Sequence, residues 1–278
     1  MLKKLASGPY LVWISMFVII PILMILGFSL ISVDSSGEMQ LTFENFTRAF
    51  DPTYISVLGR SLKIAIEATI ICFILGYPMA MILSKMAPKY RTFAVMLFVL
   101  PMWMNFLLRT YAWMTILGKN GVINGILSFL GLPTVTFLYS EGAVLLGMVY
   151  NFLPFMVLPI YTVLTKMDKS LIEAAEDLGG NKKIVFMKVI FPLSVPGILS
   201  GISMVFMPAV STFVISNLLY GGQYMLIGNL IEQQYLVVND WNFGSAVAMI
   251  LMLLILISMA IMNRMGGKSA EDQGVSLW

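Results

Sequence analysis

The chain has 278 residues, 59% of them hydrophobic and only 11% charged, with a net charge of +3 and a mean hydropathy of +0.90. A soluble domain is normally about a quarter charged, so the composition specifies a polytopic all-α membrane protein. The absence of histidine removes His-ligated metal sites and imidazole acid–base catalysis, and a single cysteine, Cys72, removes any intrachain disulfide.

Six spans are expected in chain order. Residues 9–31 form the first; Lys3 and Lys4 precede it, but the apolar run is long and no small-residue cleavage site follows, so it reads as a retained helix. Residues 32–56 are polar and turn-forming, with Thr42, Glu44 and Asn45 starting a short helix. The second span, 61–84, carries Lys63 and Glu67 four apart on one face. Either they pair, or Glu67 faces a cavity and attracts a cation.

The third span, 92–117, contains Pro101, Trp103, Asn105, Arg109, Tyr111 and Trp113. Proline frees a carbonyl that neighbouring helices or cavity water must satisfy, so this span is expected to line something wet. Its tryptophans read either as an interfacial belt or as a pathway wall. Residues 118–138 form a loop in which ILSFLGLP suggests an interfacial helix. The fourth span, 140–165, carries Tyr150, Asn151, Pro154 and Pro159. The fifth, 196–219, opens with Gly197 and Gly201, a GxxxG spacing that lets helix backbones approach closely. Ser211, Thr212 and Asn217 follow; they either hydrogen-bond within the bundle or face a pathway. A loop holding Glu232 and Asp240 leads to the sixth span, 244–263, almost purely Ala, Met, Leu and Ile.

Charge placement orients these spans. Lys3, Lys4, Lys85, Lys89, Arg91, Arg264 and Lys268, with five lysines between the fourth and fifth spans, mark the cytoplasmic side and put both termini there. The opposite loops carry Asp34, Glu38, Asp51, Glu141, Glu232 and Asp240, with Arg48, Arg60 and Lys119 in the minority. Such an acidic face concentrates cations.

The polar stretch at 166–195 has its own organisation. Ser170 followed by Glu173 reads as a capping box that starts a helix, with Leu171, Ala174, Ala175 and Leu178 on one side and Glu176 and Asp177 elsewhere. Gly179 and Gly180 supply the positive-φ ending. Asn181 caps a second short helix with Ile184, Met187 and Phe191 at helical spacing, and Pro192 near its end.

Glu173-Ala174-Ala175, followed at the right spacing by Gly179 and by Val189, Ile190, Phe191 and Pro192, resembles the EAA loop of ABC importer permeases. The pattern ends in Ile-x-Leu-Pro; Val189 and Phe191 are apolar replacements. The segments LGYPMAMILSK at 75–85, PMWMNFLLRTYAW at 101–113, GMVYNFLPFMVLPIY at 147–161 and LIGNLI at 226–231 further resemble the B-type permeases of bacterial spermidine/putrescine importers. The resemblance implies a MetI-like fold of type I importers in the bacterial inner membrane. It implies that Glu173, Ala174, Ala175, Asp177, Leu178 and Gly179 dock a coupling helix into an ATPase subunit. It also implies a C-type permease partner, two ATPase subunits that bind ATP and magnesium, and an extracytoplasmic polyamine-binding protein.

No nucleotide site is expected in this chain: Gly267-Lys268-Ser269 lacks the earlier glycine of a phosphate loop, Met262 standing there, and a span rather than a strand precedes it. Neither metal ligands nor catalytic residues are expected, and no nucleic-acid partner. A polyamine route needs aromatic faces, carbonyl oxygens and a few acids. Trp103, Asn105, Tyr150, Asn151, Ser211, Glu232 and Asp240 meet that description. The open alternatives are the same machine carrying an amino acid, thiamine or an iron complex, and an ion-coupled carrier or channel.

Overall fold

The computed structural model describes residues 8–33, 39–222 and 224–266. Lys3, Lys4, Asp34, Glu38 and the Gly267-Lys268-Ser269 run lie outside the described residues. The helices are α1 (Pro9–Ser29), α2 (Glu44–Ala49), α3 (Pro52–Lys85), α4 (Pro88–Trp103), α5 (Phe106–Leu117), α6 (Val122–Phe129), α7 (Glu141–Lys166), α8 (Lys169–Asp177), α9 (Lys182–Ser211), α10 (Val214–Tyr220), α11 (Ile227–Gln233) and α12 (Trp241–Gly266). Strands β1 (Ile31–Val33) and β2 (Met39–Leu41) form a small antiparallel hairpin, Ile31 opposite Leu41, which the helical reading of the sequence did not include. Among the described residues five helices, α1, α3, α7, α9 and α12, are long and apolar enough to cross a bilayer; six spans result if the bent α4–α5 pair counts as one.

Local chemistry sets the boundaries. Asp51 accepts a hydrogen bond from the Thr53 N–H, and Pro52 opens α3 with its fixed φ and missing donor. Ser140 caps α7 by accepting from the Ala143 N–H, with Glu141 in the positive first turn. Three corrections to the sequence reading follow. The third span is broken at Met104–Asn105, where α4 and the run Phe106–Phe129 bend by 93°. Asn105 causes the restart: its carbonyl oxygen accepts from the N–H groups of Leu107 and Leu108. The helix that carries the fifth span begins far earlier than 196, because the helix started by Asn181 runs on through a π-helical turn at Phe186–Ile190 into the apolar stretch. It also ends earlier, at Ser211, with α10 following as a separate helix.

The chain divides into two compact units. One comprises residues 61–224 and 257–278, the other residues 1–60 and 225–256. In the larger unit, α7 and α9 pack face to face along much of their length, burying Met148, Met156, Ile160, Ile198 and Val205. Gly197 and Gly201 permit it: a Cβ on Gly197 would lie 3.0 Å from the Pro159 carbonyl oxygen, and one on Gly201 2.8 Å from Met156 Sδ. The GxxxG expectation therefore holds in this helix pair. In the smaller unit, Asn45 of α2 ties the end of α1 to the hairpin, and the Tyr54 ring packs on Phe243 at 4.8 Å. The surface of α1 is almost wholly apolar and uncovered by the chain, as a lipid- or partner-facing helix requires.

Candidate functional site

The 166–195 stretch is built from hydrogen bonds a few residues apart. Helix α8 starts at Lys169, two residues ahead of the start that a Ser170 cap would set. Its cap is Asp168, whose carboxylate accepts from the Ser170 N–H at 3.0 Å, so the Ser170–Glu173 capping box is not formed. Asp168 wins because a carboxylate is a stronger acceptor than a hydroxyl at the positive helix end. The same backbone hydrogen bond holds the Asp168 carboxyl below the usual carboxylate range.

The helix ends as the glycines predict. Gly179 lies at φ +82°; its N–H donates to the Glu176 carbonyl, and the Gly180 N–H reaches back to the Ala175 carbonyl. This is the Schellman pattern. A Cβ on Gly180 would lie 2.5 Å from the Ala175 carbonyl oxygen, so no larger residue fits that corner unchanged. Asn181 then caps α9, its side-chain oxygen accepting from the Ile184 N–H at 2.9 Å.

The corner is rigid and anchored at its base. Helix α8 packs back on the first turns of α9. Phe186 and Phe191 from those turns meet the Tyr77 ring of α3 at 5.8 and 5.9 Å, and the Tyr77 hydroxyl shares a 3.0 Å hydrogen bond with Ser194. The outer surface of α8 has no such cover. Glu173, Ala174, Asp177, Leu178 and Gly179 are exposed, Ala175 is half-buried, and Leu178 is 90% exposed.

The expected pathway residues are distributed between the units. Trp103, Asn105, Tyr150, Asn151 and Ser211 belong to the larger, Glu232 and Asp240 to the smaller. Trp103 ends α4 at 81% exposure, while the Asn105 carbonyl is committed to capping α5. Tyr150 and Trp113 stack edge to face at 5.3 Å, joining α5 to α7. Asn151 is only 2% exposed; its amide donates to the Gly147 carbonyl, and its own oxygen finds no donor among the described residues. The Ser211 hydroxyl donates to the Met207 carbonyl. Asp240 accepts from Arg48 at 2.8 Å and caps α12 through the Phe243 N–H.

Of the two sequence readings for Lys63 and Glu67, pairing is what forms, with an added partner. The ammonium lies 3.7 Å from Glu67 and 2.7 Å from Glu141 at the start of α7. Arg109 was noted in the third span but given no role of its own by the sequence reading. It is 9% exposed, and its Nε and Nη1 find no acceptor among the described residues. A lone guanidinium inside an apolar run was the available signal.

Comparison with known proteins bears on the whole chain. Residues 2–268 match the sequence profile of the family described as binding-protein-dependent transport system inner membrane component. The chain is 40% identical to the spermidine/putrescine transport system permease protein PotB of Haemophilus influenzae over 276 residues, covering 97% of this chain and 96% of the relative. It is 41% identical to the PotB protein of Escherichia coli strain K12 over 243 residues, covering 86% and 88%. Its fold is similar to a chain of the bacterial alginate ABC transporter solved in complex with an alginate pentasaccharide-bound periplasmic protein, with a TM-score of 0.81 at 17% identity over 97% and 95% of the two chains.

Proposed function

From the premise that this chain belongs to the family of binding-protein-dependent transport system inner membrane components, we infer that it is the transmembrane permease subunit of an ABC importer carrying spermidine and putrescine. The observation that carries this reading is full-length similarity to permeases named for that cargo. It is a multi-pass protein of the bacterial inner membrane, and its part in the cycle is passage rather than catalysis.

The partners proposed for it are those that the resemblance to ABC importer permeases implies. An extracytoplasmic binding protein delivers the polyamine. A homologous permease subunit completes the route, and two ATPase subunits, binding ATP and magnesium, supply the work. The loop 166–195 is the cytoplasmic contact with an ATPase. Its uncovered α8 surface supports this reading, because Leu178 and the flanking carboxylates Glu173 and Asp177 offer an apolar knob with a charged rim.

The same geometry explains how a push on α8 is transmitted. The Schellman corner and the Asn181 cap leave no slack between α8 and α9, and the Tyr77–Phe186–Phe191 cluster fixes the base of α9 against α3. Displacement of α8 therefore moves α9 as a lever instead of being absorbed in a loop. Along the route, the exposed Trp103 and Tyr150 rings offer faces to ammonium groups and methylenes, with weak contacts that allow release.

The test is ATP-dependent uptake of labelled spermidine and putrescine into proteoliposomes holding this chain with its co-purified partners. Uptake that requires both ATP and the binding protein supports the function. ATP hydrolysis stimulated by the binding protein without polyamine uptake discards the cargo, and uptake without ATP discards the importer.

A further inference from the structure

Helix α5 buries a charge that the chain does not balance. Its buried residues are Arg109, Thr110 and Leu117. The Arg109 guanidinium carbon lies 6.0 Å from the centroid of the Phe106 ring, which places the charge beside the first residue of α5, at the elbow where the third span is broken. Nε and Nη1 are sealed from solvent without an acceptor, whereas Nη2 is not sealed and makes no hydrogen bond. The positive end of α5 adds to the charge instead of offsetting it. A buried charge left unpaired is strongly destabilising, so a counter-charge is called for.

The surrounding helices do not hold one. Neither α4 nor α5 contains an acidic residue, nor do α6 and α10, which pack on α5. Helix α7, the other neighbour, holds only Glu141 at its first residue, and Lys63 engages that carboxylate at 2.7 Å. The counter-charge is therefore sought outside the chain. Flanking the elbow, large apolar side chains stand uncovered: Trp103 is 81% exposed, Leu108 66%, Met104 56% and Leu107 45%. Lipid tails cover such a collar but bring no acceptor, and a hydrated ion brings charge but covers nothing. A neighbouring polypeptide does both, with apolar side chains on the collar and a carboxylate on the guanidinium.

We propose that the elbow of α4 and α5 is an interface with the adjoining permease subunit, and that a carboxylate of that subunit pairs with Arg109 at Nη2. The identity of the neighbour rests on the importer reading above; the missing counter-charge does not.

The test is the sign of one substitution. Removing an unpaired buried charge stabilises a protein, whereas removing one half of a buried pair destabilises it. Thermal unfolding of this chain is followed in nanodiscs of neutral lipid, for the full chain alone and for the complete complex. Arg109→Met is expected to raise the midpoint of the chain alone by about 5 °C and to lower that of the complex by a similar amount. Arg109→Lys, which keeps the charge, is expected to stay closer to wild type in the complex. A midpoint raised or unchanged by Arg109→Met in the complex overturns the interface pair. A midpoint lowered in the chain alone overturns it too, and places the counter-charge in solution if chloride stabilises the wild type, in the bilayer if anionic lipid does, and within the chain if neither does. The subunit composition of the purified complex decides the importer reading separately: a complex without a second permease subunit removes the neighbour but leaves the sign measured in the chain alone.

Discussion

The loop 166–195 and the polar cluster around α2 are both polar constructions in an apolar chain, yet they are assembled in opposite ways. Every hydrogen bond that shapes the loop corner joins residues no more than five apart: Asp168 to Ser170, Ala175 to Gly180, Asn181 to Ile184. The cluster depends on Asn45 reaching residues 14 and 16 positions away, and on Arg48 meeting Asp240 across 192 positions. A local device is stiff on its own and suits a part that must move as a body. A non-local one exists only when distant segments have come together, and so reports on their assembly.

The sharpest way to break this contrast is charge reversal on the loop. Glu173 is exposed and makes no ion pair among the described residues, so Glu173→Lys leaves the fold intact. Its expected effect is loss of ATP-driven uptake with normal membrane insertion, read by proteoliposome transport beside quantitative immunoblotting; normal transport would sink the docking assignment.

A smaller effect is expected at the corner. Gly180→Ala forces a Cβ against the Ala175 carbonyl and costs about 1–3 kcal/mol of local stability. Gly179→Ala meets no atom within 4 Å and suffers only from its positive φ, about 1–2 kcal/mol. Hydrogen exchange across 169–190 should rank the two in that order, with uptake falling in parallel; equal exchange would mean that the corner is not a lever.

In the non-local region the effect is weaker still, because the pair is half-exposed. Arg48→Met or Asp240→Asn should each lower the unfolding midpoint slightly, with a coupling of about 0.2–1 kcal/mol in a double-mutant cycle. A coupling near zero would leave the stacking of the guanidinium over the Phe243 ring, 4.1 Å away, as the reason for the position of Arg48.

The smallest effect is the pH dependence of the α8 cap. The Asp168 carboxyl titrates below its unfolded value, so its contribution is complete above that value. It is lost as pH falls from about 4 through the folded pKa. Amide exchange at Ser170 should quicken over that acid range in the wild type and show no such step in Asp168→Ala.

How far the sequence could be read follows the same division. The apolar runs, the Gly179–Gly180 ending, the Asn181 cap and the close approach at Gly197 and Gly201 were legible, since each depends on composition, local capping chemistry or what a glycine lacks. The choice of Asp168 over Ser170 as cap was local too, but it turned on a competition between two acceptors two residues apart, which spacing alone does not decide. The break at Asn105 was hidden because the apolar run on either side is continuous in composition; only the capping geometry reveals that the helix restarts. Likewise Asn151 reads as a pathway residue in sequence, whereas its burial is set by the helices packed around α7.

By itself, then, the sequence determined a polytopic helical membrane permease with a polar loop of two short helical starts, because hydropathy and helix punctuation are carried by neighbouring residues. Only the tertiary structure decided that Arg48 would be spent on Asp240 and that Lys63 would lie closer to Glu141 than to Glu67. Those outcomes depend on which of several possible partners folding brings within hydrogen-bond reach, and no spacing along the chain encodes that distance.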